Sequence, residues 1–454
     1  MEALEVASPQ SRFWRYGFFL LLALLIGAVS VQYGRKIESP QRSAFSRWRP
    51  QVLRLHDEDI YARYEYPNPP IMALILLPFA SLPPTIGAFT WFYVKLSLAA
   101  VSVLWACRLV APPGRALSGL GVALIVFLSL RPIMGDLVHG NVNLFILFLV
   151  VGALYAFSRG KDFLAGAALA LSIACKVTPA LFIGYFLWKR AWRTLAGTAA
   201  GLVLFLFIVP AGYLGFGTNL QRLDAWYQQM VVPYVVRGQV TSEHQNQSLP
   251  GLAMRLLSHS PSDSTFDEQK QYQPTEYRNM LNLDPRWVRL LVKGCMAVFA
   301  LAIVLACRTP LNPRHNWQLA AEYSLVVLGM LLFSERTWKH HCVTLLLPFA
   351  VLVYHLSTVR SGRALRTYLI ATLAATTLLL ASTITGLGKT WSEFGKLAEV
   401  YGAYVWAYLL LAAGLVVVLR GGQARTAAET SPPEPVVAKQ SEHVWESTRW
   451  QQSA

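Results

Sequence analysis

The sequence predicts an all-α polytopic membrane protein with about twelve transmembrane helices, two of which are half-length. Three observations support this class. Hydrophobic residues make up 54% of the 454 residues and charged residues only 14%, with a mean hydropathy of +0.40. Apolar runs recur at lengths that match a hydrocarbon core of about 30 Å. Lysine and arginine are concentrated in the short segments between these runs, as the positive-inside rule describes for cytosolic loops.

The basic loops also account for the net charge of +16, which we attribute to membrane orientation and lipid contact rather than to nucleic-acid binding. The five cysteines lie in or beside apolar runs without CxxC spacing, so the sequence indicates neither a disulfide framework nor a thiolate metal site. The first apolar run, 14–32, is long and lacks a clear small-residue cleavage site. We therefore predict an uncleaved first span rather than a signal peptide.

After the first span, 33–84 is predicted to be an outward loop that contains a short interfacial helix over 70–82. Prolines bracket this helix, which is too short to cross the bilayer. The chain then returns over 85–110, goes outward over 118–131 and comes back over 144–157. The cytosolic loops assigned in this way are short and basic.

The segment 163–189 decides the orientation of everything that follows. As one helix it would place four later clusters of lysine and arginine outside, whereas two half-length helices keep each cluster inside. We predict the break at Lys176-Val-Thr-Pro179, because proline suits the first turn of a new helix and Thr178 is a suitable N-cap. Each piece would reach about 20 Å, so the break is expected in the outer half of the bilayer.

Later spans are predicted at 192–213, 286–307, 317–333, 341–357, 365–386 and 401–420. The segment 214–285 is predicted to be a long outward loop that packs on the outer ends of the helices. We interpret 1–420 as one transmembrane domain and the proline-containing segment 421–454 as a disordered cytoplasmic tail. Both termini are then cytoplasmic, in what we expect to be a bacterial plasma membrane.

This topology gathers carboxylates, cations, histidines and amides on the outward face. Asp57, Glu58 and Asp59 lie where the chain first emerges from the membrane. They are candidates for a catalytic base, but a solvated loop or the acidic first turn of an interfacial helix explains them equally well. Both interpretations stay open.

Lys176 is a stronger candidate, because an ammonium group inside a span costs about 2.5–3.5 kcal/mol and is usually kept for a partner. Its position before a helix start suits a phosphate group. Snorkelling to the interface is the alternative explanation.

Two histidines, His340 and His341, follow Arg336 and Lys339. Adjacent helical positions point about 100° apart, so the pair is a poor metal site but is suited to donating to phosphate. Asn141 and Asn143 precede a predicted helix, where helix capping and sugar binding are equally good explanations.

Several motifs together resemble one enzyme family. In chain order they are Tyr66-Pro-Asn-Pro-Pro70, His139-Gly-Asn-Val-Asn143, Lys176-Val-Thr-Pro179, Asn246-Gln-Ser248 and Trp338-Lys-His-His341. This order is similar to that of glycosyltransferase family 87 over roughly 14–420, and the stretch 139–193 is the most specific part. The resemblance implies a GT-C-like bundle and an enzyme similar to polyprenyl-phosphate-mannose-dependent α-mannosyltransferases.

The resemblance also implies an inverting transfer of a hexose, expected to be mannose, from a polyprenyl-phosphate sugar to a lipid or glycan acceptor. The family's base is usually an aspartate soon after the first span, but here 33–56 contain only Glu38 as an acid. We therefore assign the base to Asp57 or Asp59. Lys176, Arg336, His340 and His341 would hold the donor phosphate, without a metal or another cofactor.

Sugar or acceptor binding is assigned to amides and aromatic side chains of the same motifs, namely Tyr66, Asn141, Asn143, Asn246, Gln247 and Trp338. The alternative functions are a secondary transporter or lipid flippase, and a catalytically silent scaffold of an envelope-assembly complex. A transporter would place its polar groups near the membrane midplane, accessible from both faces, whereas this topology collects them on one face.

Overall fold

Prolines and short polar side chains set the starts of many helices in this chain. Pro70, Pro84 and Pro285 each occupy the first turn of a helix, where the missing N–H group costs no hydrogen bond. Ser118 and Asn316 cap two further helices by accepting hydrogen bonds from backbone N–H groups two or three residues on. The helix boundaries therefore follow from local chemistry as well as from the lengths of the apolar runs.

The computed structural model describes residues 9–38, 43–64, 66–112, 114, 116–266, 272–384 and 388–430. The helices in chain order are α1 Pro9–Ile37, α2 Ala44–Leu53, α3 Ile60–Tyr64, α4 Pro70–Ala80, α5 Pro84–Val110, α6 Gly119–His139, α7 Asn143–Ser158, α8 Asp162–Cys175, α9 Leu181–Trp188, α10 Trp192–Val203, α11 Val209–Leu214, α12 Phe216–Trp226, α13 Leu249–Leu257, α14 Pro285–Ala306, α15 Trp317–Leu332, α16 Leu346–Thr358, α17 Arg363–Ser382, α18 Lys389–Val400 and α19 Ala403–Thr430. Two 3-10 segments, Thr178–Ala180 and Lys339–Leu345, lead into α9 and α16. Two π-helical segments, Leu204–Ile208 and Tyr227–Val236, follow α10 and α12.

Among the described residues, eight helical stretches are long and apolar enough to cross a membrane. They are Leu20–Ile37, Pro84–Val110, Gly119–His139, Trp192–Leu214, Pro285–Ala306, Lys339–Thr358, Arg363–Ser382 and Ala403–Gly421. Five shorter apolar helices accompany them, over Pro70–Ala80, Asn143–Ser158, Asp162–Cys175, Thr178–Trp188 and Trp317–Leu332. The predicted class, an all-α polytopic membrane protein, is confirmed.

The centre of the bundle is formed by α15 and α16. Every residue from Leu319 to Leu332 of α15 is buried, and so is every residue from Leu346 to His355 of α16. Helices that are apolar on all sides belong in the core of a bundle rather than at its lipid surface. By contrast, only 11% of the α14 span is buried within the protein.

The helical break near Lys176 is present where the sequence predicts it. Helix α8 ends at Cys175, and Lys176 adopts an extended conformation with φ −159° and ψ 122°. The 3-10 turn that follows has Pro179 in its first turn and continues directly into α9. The break places the Lys176 side chain beside the start of α7, which is where the candidate site lies.

The sequence placed the end of the 118–131 span too early. Helix α6 continues through Pro132 to His139 and ends at Gly140, which has φ 72° and terminates the helix in the left-handed conformation. Pro132 lies inside the helix at the cost of one backbone hydrogen bond. The eight additional residues include Asp136 and His139, both of which belong to the site described below.

The segment 214–285 also differs from the predicted loop. It contains α12, the π-helical segment Tyr227–Val236 and α13. It also contains an antiparallel hairpin formed by β1, Pro261–Phe266, and β2, Tyr272–Tyr277. These elements are short and polar on one side, so they carry no long apolar run that the sequence would reveal.

Helix α19 runs ten residues beyond the predicted last span, to Thr430. It is preceded by α18, which the sequence analysis did not identify as a separate helix. The remainder of the predicted tail, 431–454, lies outside the described residues.

Candidate functional site

A cavity of about 1640 Å³ lies between α14, the break after α8 and the loop that precedes α16. It is larger than the pockets of about 300–1,000 Å³ that hold drug-sized ligands. Eight of the described lining residues are lysine or arginine and three are glutamate: Arg47, Lys176, Arg237, Arg289, Lys293, Arg336, Lys339 and Lys396, with Glu335, Glu393 and Glu399. This excess of positive charge favours an anionic ligand.

One wall of the cavity is apolar. Helix α14 contributes Met296, Phe299 and Ile303, and Met330 and Phe333 from the end of α15 lie beside them. The opposite side of α14 carries exposed apolar residues, including Val298 at 69% exposure. If α14 spans the membrane, this single helix separates the cavity from the lipid. The side of α14 that faces the cavity offers apolar contacts along its length.

Lys176 lies in the cavity wall and is held there by a buried hydrogen-bond chain. Its Nζ donates to Oδ1 of Asn143 (2.6 Å), and Nδ2 of Asn143 donates to Oδ1 of Asp136 (2.9 Å). Oδ2 of Asp136 lies 3.3 Å from Nζ of Lys95, and both of these side chains are fully buried. The chain fixes the ammonium group of Lys176 at the helical break without neutralising it directly, since its immediate partner is an amide.

Three histidines meet at the same point of the wall. The rings of His139 and His340 stack with centroids 4.5 Å apart, and Nδ2 of Asn141 donates to Nε2 of His340 (3.1 Å). The backbone N–H of Trp338 donates to Nδ1 of His341 (3.3 Å). A neutral His341 therefore carries its proton on Nε2, where it is a donor for a phosphate oxygen.

Arg336 and Trp338 also line the cavity. The guanidinium of Arg336 lies over the ring of Tyr234, 4.2 Å from its centroid, and its Nε donates to Oγ1 of Thr241 (2.9 Å). These two contacts hold the guanidinium group of Arg336 in a fixed orientation. The structure thus brings together Lys176, Asn141 and the four predicted residues of the 336–341 motif.

Asp57 and Asp59 are not among the residues that line the cavity. Asp59 caps α3 by accepting from the N–H groups of Tyr61 (2.9 Å) and Ala62 (3.2 Å), and its other oxygen lies 3.3 Å from Arg222. The Asp57 side chain is 77% exposed. These contacts correspond to the capping and solvated-loop interpretations of the acidic stretch, and the catalytic role stays a prediction.

Asn246 and Gln247 are fully buried, and neither lines the cavity. Nδ2 of Asn246 donates to the carbonyl oxygens of Thr241 (2.8 Å) and Glu335 (2.8 Å). Nε2 of Gln247 donates to the carbonyl oxygen of Glu399 (2.8 Å). Both amides hold backbone segments that form the cavity, so sugar binding by them stays a prediction.

Tyr66 and Asn143 are likewise buried behind the cavity surface, at 0% and 3% exposure. The Tyr66 ring packs edge-on against Trp48, which does line the cavity, with centroids 5.9 Å apart. Asn143 is the first residue of α7 and is occupied by Asp136 and Lys176. In this structure the two residues support others that reach the cavity.

Sequence reasoning missed the glutamates of the cavity and the buried pair Lys95–Asp136. Lys95 lies inside an apolar helix, so the same cost argument that singled out Lys176 would have found it. Glu399 is 2% exposed and forms an ion pair with Lys339. Nothing in the sequence distinguished Glu335 or Glu399 from surface acids, because both lie in or beside short polar segments.

Fold and site together define a polytopic helical membrane protein with a large cationic cavity against an apolar wall. The family model for glycosyltransferase family 87 matches residues 66–334, more than half of the chain. The chain belongs to this family, and it is an enzyme of the glycosyltransferase class.

Curated relatives are 27% identical to the chain. One from Mycobacterium tuberculosis aligns over 394 residues, 82% of this chain and 81% of the relative. Another from Mycolicibacterium smegmatis aligns over 357 residues, 74% and 72%. Both are polyprenol-phosphate-mannose-dependent alpha-(1-2)-phosphatidylinositol mannoside mannosyltransferases. A third, also from Mycolicibacterium smegmatis, acts on the pentamannoside and aligns over 71% of this chain. Membership of an enzyme family favours catalysis over the transporter and scaffold alternatives.

Proposed function

We propose that this protein transfers mannose from polyprenyl-phosphate mannose to a lipid or glycan acceptor at the extracytoplasmic face of a bacterial plasma membrane. The observation that carries the proposal is the cavity, which joins a cationic end to an apolar wall of the kind that a lipid phosphate requires. Family membership and the activities of the two mycobacterial relatives support mannose as the sugar.

The donor phosphate is assigned to the cationic end. Lys176 and Arg336 supply charge there, while His340 and His341 supply further hydrogen-bonding groups. The prenyl chain lies along the apolar wall, against Phe299 and Met330. Asn141 and Trp338 border the space that remains for the sugar and the acceptor, and Tyr66, Asn143, Asn246 and Gln247 complete the set assigned from the sequence.

The proposed reaction is a single displacement with inversion at the anomeric carbon. The acceptor oxygen forms a bond to this carbon as the bond to the phosphate oxygen breaks, and a carboxylate takes the acceptor proton. The departing polyprenyl phosphate gains negative charge, which the fixed cations of the cavity stabilise as it develops. The sequence assigns the carboxylate to Asp57 or Asp59.

The proposed topology has about twelve transmembrane helices, formed by the eight long helices together with the shorter apolar helices. Helix α8 and the segment Thr178–Trp188 form the half-length pair, since the 14 residues of α8 reach only about 21 Å. The basic loops are cytosolic in this arrangement, and both termini are cytosolic with them.

The test is transfer of radiolabelled mannose from synthetic polyprenyl-phosphate mannose by protein reconstituted in vesicles that contain phosphatidylinositol mannosides. Lys176→Met is expected to lower kcat/KM about 100-fold, because it removes a charge aimed at the leaving group. Lys161→Met is the matched control, since Lys161 is exposed and lies outside the cavity lining. EDTA is expected to leave the rate unchanged.

Two outcomes would contradict the proposal. One is a wild-type protein that transfers no sugar from any polyprenyl-phosphate donor, and movement of the labelled lipid between leaflets in that case would support a flippase. The other is equal activity of wild type and Lys176→Met, which would mean that Lys176 does not bind the donor phosphate.

A further inference from the structure

The cavity contains three glutamates, and their surroundings differ. Glu399 is buried and paired with Lys339, with His244 Nε2 3.8 Å from its other oxygen. Glu393 is exposed on α18 at the edge of the cavity. Glu335 lies in the loop between α15 and the 3-10 segment that begins at Lys339, and it is only partly exposed.

One carboxylate oxygen of Glu335 lacks a hydrogen-bond donor among the described residues. Its Oε2 is buried and, within the described part of the chain, receives no hydrogen bond. A buried carboxylate oxygen normally has a donor, so an orphaned one requires an explanation, and an incoming ligand is one. A hydroxyl group of a bound acceptor would supply the missing donor.

The backbone of the same residue is held firmly. The Asn246 side chain donates to the carbonyl oxygen of Glu335 (2.8 Å) and accepts from the N–H of Thr337 (2.9 Å). Oγ of Ser334 donates to the carbonyl oxygen of Arg336 (2.9 Å). The loop is therefore fixed on both sides of Glu335 while the carboxylate remains available, which is the arrangement expected of a preorganised catalytic group.

The loop also brings Glu335 to the lining of the cavity that contains the proposed phosphate site. Arg336 follows it directly, and Ser334 precedes it. Ser334, Lys176 and His341 line a side cavity of about 20 Å³, which has room for one water molecule. Glu335, Lys176 and Arg336 all line the main cavity, so the carboxylate and these cations border the same space.

We propose that Glu335 is the catalytic base of this chain, accepting the proton of the acceptor hydroxyl. The inference rests on the proposed function and departs from the family pattern, in which the base follows the first span. The acceptor oxygen loses its proton to the Glu335 carboxylate as it bonds to the anomeric carbon, and the electron pair of the broken bond leaves with the polyprenyl phosphate.

The ionisation of Glu335 suits this role. Burial raises its pKa to about 7, and the positive charge of Lys293 opposes part of that rise. A base whose pKa lies near the working pH is the most effective one. The other charged or titratable groups that line the cavity around it are Arg47, His139, Cys175, Lys176, Tyr234, Arg237, His244, Arg289, Arg336, Lys339, His340, His341, Glu393, Lys396 and Glu399.

The experiment compares Glu335→Gln with wild type in the vesicle assay, using polyprenyl-phosphate mannose as the probe. Glu335→Gln is expected to lower kcat by about 100-fold or more with a small change in the KM for the donor, because the amide cannot accept the proton. The wild-type rate is expected to rise with pH and level off above about 7. Asp224→Asn removes a carboxylate that is exposed and outside the cavity lining, so it is the control and is expected to retain activity.

Asp57→Asn and Asp59→Asn are measured in parallel, because the sequence assigns the base to one of them. A greater loss at either aspartate than at Glu335, or a Glu335→Gln variant with the wild-type rate, would overturn the inference and leave the proposed function intact. An inactive wild type overturns both. Glu335→Asp keeps a carboxylate and is expected to retain partial activity, which separates loss of the base from misfolding of Glu335→Gln. The wild-type pH profile is a test that needs no variant. A wild-type rate that does not rise with pH would overturn the inference.

Discussion

Lys95 and Asp136 form an ion pair that is completely buried, 41 positions apart in the sequence. Two charges in such an environment persist only when each satisfies the other and the remaining hydrogen bonds are made. The Asp136 carboxylate meets this condition by also accepting from Nδ2 of Asn143 and from the N–H of Leu144 (3.4 Å). The pair therefore supports the start of α7 and, through Asn143, the position of Lys176.

Breaking this pair is expected to be costly. Asp136→Asn leaves the Lys95 ammonium buried without a countercharge, so we expect a loss of about 3–5 kcal/mol in the free energy of unfolding. Thermal unfolding of the purified protein in detergent measures the loss. The double variant Lys95→Met, Asp136→Asn is expected to recover much of it, and the exposed control Lys161→Met to change the melting temperature little. A double variant no more stable than Asp136→Asn would show that the charge of Lys95 is not the cause.

Glu335 gives a prediction for stability as a function of pH. Its pKa is raised from the usual 4.5 to about 7 in the folded protein, so between these values the folded state binds the proton more tightly than the unfolded state. Stability is therefore lost as the pH rises through this window. Glu335→Gln resembles the protonated form and is expected to melt progressively higher than wild type between pH 5 and pH 8. Parallel melting curves across that range would contradict the assignment of the raised pKa.

At the scale of elements, α8 and α10 make a close helix contact through glycine. A Cβ added at Gly166 would lie 2.3 Å from the backbone oxygen of Thr194, and one at Gly201 would lie 2.6 Å from Cβ of Ala170. Small residues that let backbones approach are a general means of packing helices in membranes. The contact joins α8, which precedes the break, firmly to the rest of the bundle.

Gly166→Ala is expected to destabilise the protein by about 1–3 kcal/mol, because the backbone of α10 must move away. Gly184→Ala in α9 is the matched control: a Cβ there meets nothing within 4 Å, so alanine is expected to be neutral or to stabilise by up to about 1 kcal/mol. Melting temperatures of the two variants check the difference. Equal melting temperatures would mean that α8 and α10 separate at little cost.

Patterns in the sequence predicted some of these elements and missed others for identifiable reasons. The break at Lys176 was predictable because proline and a buried cation coincide within four residues. The end of α6 was predicted wrongly because Pro132 is tolerated inside that helix, where packing outweighs the lost hydrogen bond. The hairpin and α13 escaped prediction because their residues pack against distant parts of the chain, for example Arg255 of α13 against Val400 and Asp263 of β1 against Lys396.

At the scale of the whole molecule, the sequence was sufficient for the class of protein and the family, since apolar runs and ordered motifs carry both. The site was only partly predictable. Lys176 and the 336–341 motif reach the cavity as expected, whereas Asn246 and Gln247 are buried behind its wall. Which side of a polar motif faces a cavity depends on long-range packing, and one sequence alone does not contain that information.

The topology leads to a prediction for chemical labelling. In a Cys295→Ser background, which removes the exposed native cysteine, Thr275→Cys in the hairpin and Arg360→Cys before α17 provide two exposed thiols. The positive-inside rule places Thr275 outside and Arg360 in the cytosol. A membrane-impermeant maleimide is expected to label Thr275→Cys in intact cells and Arg360→Cys only after permeabilisation. The reverse pattern would invert the orientation and move the cavity to the cytosolic face.

The α14 wall has a consequence for how the enzyme meets its proposed donor. Because one helix has the cavity on one face and exposed apolar residues on the other, we expect the prenyl chain to arrive by lateral diffusion within the bilayer. The concentration that governs its binding is then the mole fraction of donor among the lipids. Diluting the vesicles with buffer leaves this quantity unchanged, whereas adding inert lipid lowers it. Saturation of the enzyme is therefore a property of the membrane's composition rather than of the volume around it.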